Sequence, residues 1–304
     1  MSEKAALNRS AAIASITVAL LLVGLKVWAV FSTGSTAMLG SLADTALDLI
    51  ASLATLAGVW VAAQPDDENH RFGHGKAEAL AAMFQVVLIS ISAISLAFRA
   101  IEQWFAGARP QEAEGGIAVS AIAMVATLAL LAWQRHVIRQ TNSLAISTDH
   151  VHYQSDLLLN LAVIAALALD QYAGIAGADP FFGLAIALWL GWGAWGASQA
   201  AVDQLMDHEW PEERKAAFLA AVARHPEIKG LHDLRTRTSG DRDFVQFHLA
   251  VDPDMTVRQA HVVMDEVEAI LRSEFPGLEI LIHPDPEGHV DENDLSSEDL
   301  LARH

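Results

Sequence analysis

Residues 36–63, TAMLGSLADTALDLIASLATLAGVWVAA, are apolar or small throughout, and their only charges are Asp44 and Asp48. A helix of about 20 residues crosses the roughly 30 Å hydrocarbon core of a bilayer, so this run is long enough to span. Five further apolar blocks are read at 12–32, 77–103, 116–134, 145–169 and 180–202, joined by short polar segments. The chain of 304 residues is 53% hydrophobic and only 18% charged. Gathered into blocks of this length, that composition indicates a polytopic α-helical membrane protein with six transmembrane helices. The first block lacks a small-residue cleavage pattern and is read as a retained helix rather than a signal peptide.

An even number of spans puts both termini on one side. Lys4, Arg9, Arg71, Lys76, Arg135, Arg139, Arg214 and Lys215 all fall on the N-terminal side, while the opposite loops offer mainly Arg109, with Arg99 near a helix end. Positive residues concentrate in the cytoplasm, so both termini are expected there. Lys26 interrupts the first helix and is expected to snorkel toward polar surroundings.

The composition changes near residue 203. From there to the end stand 23 acidic and 10 basic residues, which places 13 of the 18 net negative charges in that region. The expected organisation is a transmembrane transport domain over 1–208, a small cytoplasmic domain over 209–286, and an acidic tail over 287–304. The tail has no core-forming pattern and is expected to be disordered. Within the cytoplasmic domain the pattern predicts a helix at 212–224, strands at 228–238 and 243–252, a helix at 256–274 and a strand at 278–283. That is an αββαβ, α+β arrangement of the ferredoxin or metallochaperone-like kind. In DFVQFHLAVD, alternation sets Val245, Phe247, Leu249 and Val251 on one face, with Gln246 and His248 on the other.

The excess of acid excludes nucleic acid as a partner, because phosphates demand a basic patch. Cations are the natural partners. No cysteine is present, which removes disulfides and thiolate metal sites and leaves His and carboxylate as the strong ligands.

Asp44 and Asp48 stand four residues apart, on one face of a helix inside the membrane. An Asp at a helix centre costs about 2.5–3.5 kcal/mol on insertion scales, so the pair requires a cation or protons. The fifth span supplies HYQSD, where His152 and Asp156 repeat the spacing. Counted from the start of each span, the outer end of the second and the cytoplasmic end of the fifth, both pairs lie roughly 12–18 Å into the core. The four side chains can therefore meet at mid-membrane. Three carboxylates and one imidazole suit four-coordinate Zn²⁺ and also admit Cd²⁺, Fe²⁺ or Mn²⁺; Mg²⁺ gains little from imidazole. Asp149 and His150, one turn earlier, are read as hydrated residues at a helix start. Asn160, one turn beyond Asp156, is read as an interhelical hydrogen-bond partner.

SLADTALDL, the loop DDENHRFGHGKAE, the segment VHYQSD, the junction VDQLMD and the later histidines together resemble the cation diffusion facilitator family, in particular its bacterial zinc and iron efflux antiporters. The resemblance runs from the first helix to about Pro286. It implies a homodimer in the bacterial inner membrane that exports a divalent metal from the cytoplasm in exchange for protons by alternating access. It further implies a loop metal site at Asp67, His70 and His74, and a binuclear cytoplasmic zinc site among His232, His248, His261, His283 and Asp285. Lys76 and Asp207 match a charge pair that the family places where its two domains join. Spacing agrees with the loop site, since three donors within eight residues can converge on one ion.

Two other classes stay in view. A membrane metalloenzyme is disfavoured because no Ser or Cys nucleophile arrangement, HExxH segment or phosphate-cradling Gly loop accompanies the carboxylates. A membrane-anchored metal sensor would not need four ionisable residues at one depth. The expectation is a transporter, not an enzyme.

Overall fold

The computed structural model describes residues 3–33, 36–106, 117–173, 178–288 and 300–301. The chain divides into two compact units, Met1–Val202 and Asp203–His304, with the division a few residues before the expected boundary at 208.

The first unit contains six long helices: α1 Glu3–Thr33, α2 Thr36–Ala62, α3 Ala77–Ala106, α4 Ile117–Thr141, α5 Leu144–Ala173 and α6 Ala178–Leu205. α1 begins well before the expected residue 12. No Gly or Pro breaks the segment ahead of it, and Asn8 is buried there with its amide donating to Glu78 Oε1 on α3 at 3.1 Å. Small residues bring the helices together: a Cβ on Gly58 of α2 would collide with Ala81 Cβ and lie 3.1 Å from the Ala77 carbonyl on α3. Large apolar side chains point outward instead, including Phe31 and Phe105 at 86% exposure and Trp192 at 80%, as a lipid-facing surface requires.

Among the described residues, α1, α3, α6 and the Asp44–Ala62 part of α2 are long and apolar enough to cross a membrane. α4 and α5 have 25 and 30 residues, sufficient length. Their polar residues, Gln134, Arg135, His136 and Arg139 on α4 and Asp149, His150, His152 and Asp156 on α5, dilute the apolar signal.

The second unit follows the order α7 Glu212–Val222, β1 Gly230–Ser239, β2 Arg242–Val251, α8 Val257–Glu274 and β3 Leu278–Pro286, the αββαβ sequence expected. The sheet runs β1-β2-β3. β1 and β2 form an antiparallel pair across a tight turn, whereas β3 pairs parallel to β2 because α8 carries the chain back between them. Thr256 caps α8 by accepting from the Gln259 backbone N–H while the Gln259 side chain reaches back, a capping box that fixes where the helix begins.

Val245, Phe247 and Leu249 on β2 are buried with Leu231, Phe218, Leu219, Val267 and Leu271 in the main core. The expected alternation of β2 is what the fold uses. Leu300 and Leu301 also pack against this core, and the Leu300 N–H donates to the Leu231 carbonyl at 2.8 Å. These two residues are thus anchored, contrary to the expectation of a wholly disordered tail; 289–299 and 302–304 lie outside the described residues.

Phe218 is fully buried, with Trp210, Phe247 and Phe275 around it at ring-centroid separations of 6.3, 5.3 and 6.0 Å. Phe218→Ala is expected to cost about 3–5 kcal/mol through lost transfer energy and the cavity left behind. Hydrogen exchange on the full chain should then show β1–β3 losing protection while α1–α6 keep theirs. Retained protection in the sheet would contradict the placement of the core.

Candidate metal sites

Asp48 on α2 and His152 and Asp156 on α5 converge. His152 Nε2 lies 2.9 Å from Asp48 Oδ1 and 4.0 Å from Asp156 Oδ2, and one ligand atom from each of the three falls within 4.8 Å of the others. The His152 side chain is 8% exposed. Tyr153 braces it: the phenol shares a hydrogen bond of 2.9 Å with Ser52 Oγ on α2 and lies 3.1 Å from the Ser15 carbonyl on α1, while its ring meets the imidazole edge-on.

Asp44 stays outside this trio. Four residues along a helix amount to about 6 Å of rise, and the Asp44 carboxylate is exposed, 3.9 Å from Arg99 Nη1 on α3. Lys26 donates to Thr45 Oγ1 on α2, so its ammonium engages a neighbouring helix. Asn160 donates to the Asp156 backbone carbonyl at 2.7 Å within α5; the expected interhelical role gives way to a local one.

In the loop after α2, the Asp67 carboxylate accepts from the backbone N–H groups of His70 at 2.7 Å and Asn69 at 2.8 Å. Gly73 takes φ +76° in the tight turn beyond His70, a conformation that suits glycine. The turn brings His74 Nε2 to 3.4 Å from Asp67 Oδ2 and His70 Nδ1 to 3.2 Å from Oδ1. The three form a potential ligand group. The His70 backbone N–H, with that of Asn69 and the His70 ring, holds the Asp67 carboxyl below its usual range against the opposing effect of desolvation. A depressed carboxyl contributes above its unfolded value and loses that contribution only as pH falls through the folded one. His74 Nδ1 is buried without a hydrogen-bond partner among the described residues.

In the cytoplasmic unit, strand register makes the site. His232, His248 and His283 are directly paired across β1, β2 and β3, with ring centroids 5.1 and 4.6 Å apart along the row. Asp285, two residues after His283 and on the same face, is buried among them. Its Oδ2 lies 2.8 Å from His248 Nδ1 and 3.3 Å from His232 Nε2, and its Oδ1 lies 3.3 Å from His283 Nε2. One carboxylate thus offers an oxygen to either side, as a bridging ligand does. His261 is not brought to this group within the chain: it is 69% exposed on α8, 3.9 Å from Asp265.

Two features escaped sequence reasoning. Asp233 sits at a β-bulge between His232 and Arg235 with φ +46°, and its carboxylate, held by Arg235 at 2.8 Å, comes within 3.9 Å of His248 Nε2. Asp149, expected to be hydrated, is 0% exposed. A short polar segment ahead of an apolar run reads as solvated until the neighbouring helices are known.

Asp207 takes φ +56° and lies 3.5 Å from Arg237 within the cytoplasmic unit.

Residues 12–206 match the cation efflux transmembrane domain, and residues 210–287 match the cytoplasmic domain of cation efflux proteins. The cation-efflux pump FieF of Serratia proteamaculans (strain 568) is 41% identical over 284 residues, covering 93% of this chain and 94% of the pump. FieF of Pectobacterium atrosepticum is 42% identical over 283 residues, again covering 93% of this chain and 94% of the relative. Among solved structures, the zinc form of CzrB is 38% identical, with 28% of this chain and 98% of that chain covered and a TM-score of 0.27. The metal-bound C-terminal domain of the CzcD transporter from Thermotoga maritima is 22% identical, with coverages of 27% and 100% and a TM-score of 0.26. With both domains matched nearly end to end, the chain belongs to the cation diffusion facilitator, or cation efflux, family.

Proposed function

We propose that the protein exports a divalent metal ion, Zn²⁺ foremost, from the cytoplasm across the bacterial inner membrane in exchange for protons. The observation that carries this reading is the Asp48–His152–Asp156 group, in which helices otherwise suited to lipid bring two carboxylates and an imidazole together. An intramembrane cluster of that kind is costly unless it handles ions. The ligating forms are ionised Asp and neutral His, so metal and protons compete for the same three groups. Loading with one releases the other, and alternating access to the two sides turns that competition into antiport. Asp44, one turn away on the same helix, is the fourth ligand to the ion in this reading. The imidazole favours Zn²⁺ and admits Cd²⁺, Fe²⁺ and Mn²⁺.

All six long helices span in this account, with both termini cytoplasmic. The names of the efflux-pump relatives support export. The loop group of Asp67, His70 and His74 and the sheet group of His232, His248, His283 and Asp285 would hold zinc in the cytoplasm. Their donor sets, imidazole and carboxylate without thiolate, suit that ion. When bound, the metal supplies a cross-link among strands or between copies. His283 and Asp285 Oδ1 leave a second ion short of ligands, and in a homodimer the partner copy's exposed His261 adds a third. Lys76 and Asp207 are assigned to orienting the dimer, since a charge pair can fix register even where it adds little stability.

Proteoliposomes test the whole. Zinc flux is expected to accelerate under an opposing proton gradient, with each zinc moved accompanied by counter-flow of protons. Zinc flux indifferent to the gradient would overturn the exchange mechanism, and no flux of Zn²⁺, Cd²⁺, Fe²⁺ or Mn²⁺ would favour a membrane-anchored sensor.

A further inference from the structure

Asp149 lies on α5 one turn before His152 and two before Asp156, along one side of the helix. It is completely buried, and its carboxylate gathers donors from three other helices. Oδ2 accepts from the Ser15 hydroxyl on α1 at 2.6 Å and from the Gln134 amide on α4 at 2.7 Å. Oδ1 accepts from the Gln85 amide on α3 at 3.0 Å. The arrangement is cross-braced: Gln134 also donates to Ser15 Oγ at 3.0 Å, and the Gln85 amide also donates to Thr55 Oγ1 on α2. Among the described residues no Lys or Arg forms an ion pair with Asp149. Three donors converge on one group, and only a carboxylate accepts at both oxygens while donating nothing.

Resting on the reading of Asp48, His152 and Asp156 as the transport site, we propose that Asp149 is a positioning residue for it. By clamping α5 to α1, α3 and α4, Asp149 sets the depth and rotation at which His152 and Asp156 meet Asp48. A helix transmits such a setting because each residue advances it by a fixed 1.5 Å, with 3.6 residues to the turn. A slide or roll at Asp149 appears one turn later at His152. Tyr153, one turn on along the same face, holds the same stretch of α5 through Ser52 of α2 and the Ser15 carbonyl of α1. Asp149 does not touch the transported ion. Its carboxylate fixes the elements that do.

The test uses full-length protein carrying Asp67→Ala and Asp285→Ala, so that zinc affinity reports the transport site. Asp149→Asn keeps the size of the side chain but turns an N–H₂ toward a donor. Zinc affinity and transport KM are expected to worsen about 10- to 100-fold, the range seen when partners that orient metal ligands are lost. The double variant D149N/Q134E moves the carboxylate to α4 and the amide to α5, restoring complementarity, and is expected to recover most of the affinity. A lowered thermal midpoint with zinc affinity and KM unchanged would overturn the proposal, leaving Asp149 a purely structural hub. Should Asp149→Asn fail to fold, Ser15→Ala removes a single donor and is expected to raise KM about fivefold; an unchanged KM there would overturn the proposal equally. Asp156→Ala separates the two levels. If it leaves zinc binding intact, the transport-site reading fails and this inference with it; if it abolishes binding while Asp149→Asn does nothing, only the positioning role fails.

Discussion

Asp48→Ala and Asp156→Ala are each expected to lower zinc flux in proteoliposomes by at least about 100-fold, because removing a ligand exceeds the loss seen when a ligand's hydrogen-bond partner is removed. The geometry says why neither is replaceable by the other. His152 Nε2 is 2.9 Å from the Asp48 carboxylate on α2 and 4.0 Å from that of Asp156 on its own helix, so each Asp approaches the imidazole from a different element. Losing Asp48 leaves α2 with Asp44 alone, one turn away, and losing Asp156 leaves α5 with the imidazole alone. Asp44→Ala carries further information, since that side chain stands beside Arg99 rather than with the trio. A loss matching Asp48→Ala shows that Asp44 joins the ion during the cycle, and a flux equal to the unaltered protein confines the site to three residues. Undiminished flux in both Asp48→Ala and Asp156→Ala would remove the transport site from this account.

Asp285→Ala has the second large effect. Its carboxylate is the common neighbour of His232, His248 and His283, at 3.3, 2.8 and 3.3 Å, and no other residue in the row reaches both sides of His248. Purified full-length protein carrying the substitution is expected to lose its cytoplasmic zinc, read as zinc per chain by elemental analysis. Dimerisation measured by light scattering should weaken if zinc ties the copies together. Flux through the membrane should persist at a reduced rate, because the two metal groups lie in different units. Zinc content equal to that of the unaltered protein would contradict a metal centre at Asp285.

The sequence made the membrane helices legible because an apolar block of bilayer length has few other readings. It made the trio legible because charge in such a block is costly and because i, i+4 spacing fixes a helix face. Helix periodicity and a count of residues from the helix starts do not resolve the single turn by which Asp44, beside Arg99, stands off from the trio. The burial of Asp149 is hidden in the chain for a similar reason. Its burial arises from Ser15, Gln85 and Gln134, residues far apart in the chain whose meeting is a packing result.

In the cytoplasmic domain the strands were legible from alternation, and β2 shows its apolar face as expected. The alignment of His232, His248 and His283 depends on pairing register, which the alternation of a single strand does not specify. Asp233 was invisible because its position comes from a bulge, a local irregularity without a strong sequence mark. The same domain shows the limit of compositional reading at the acidic tail, where Leu300 and Leu301 supply the apolar contacts that anchor them.

The most direct measurement is X-ray absorption at the zinc edge on full-length protein whose loop and sheet groups have been disabled by Asp67→Ala and Asp285→Ala. Bound zinc is expected with one imidazole nitrogen at about 2.0–2.1 Å and carboxylate oxygens at about 2.0–2.2 Å, lost on adding His152→Ala. Zinc absent from the protein before that substitution, or bound with an unchanged spectrum after it, would contradict the account.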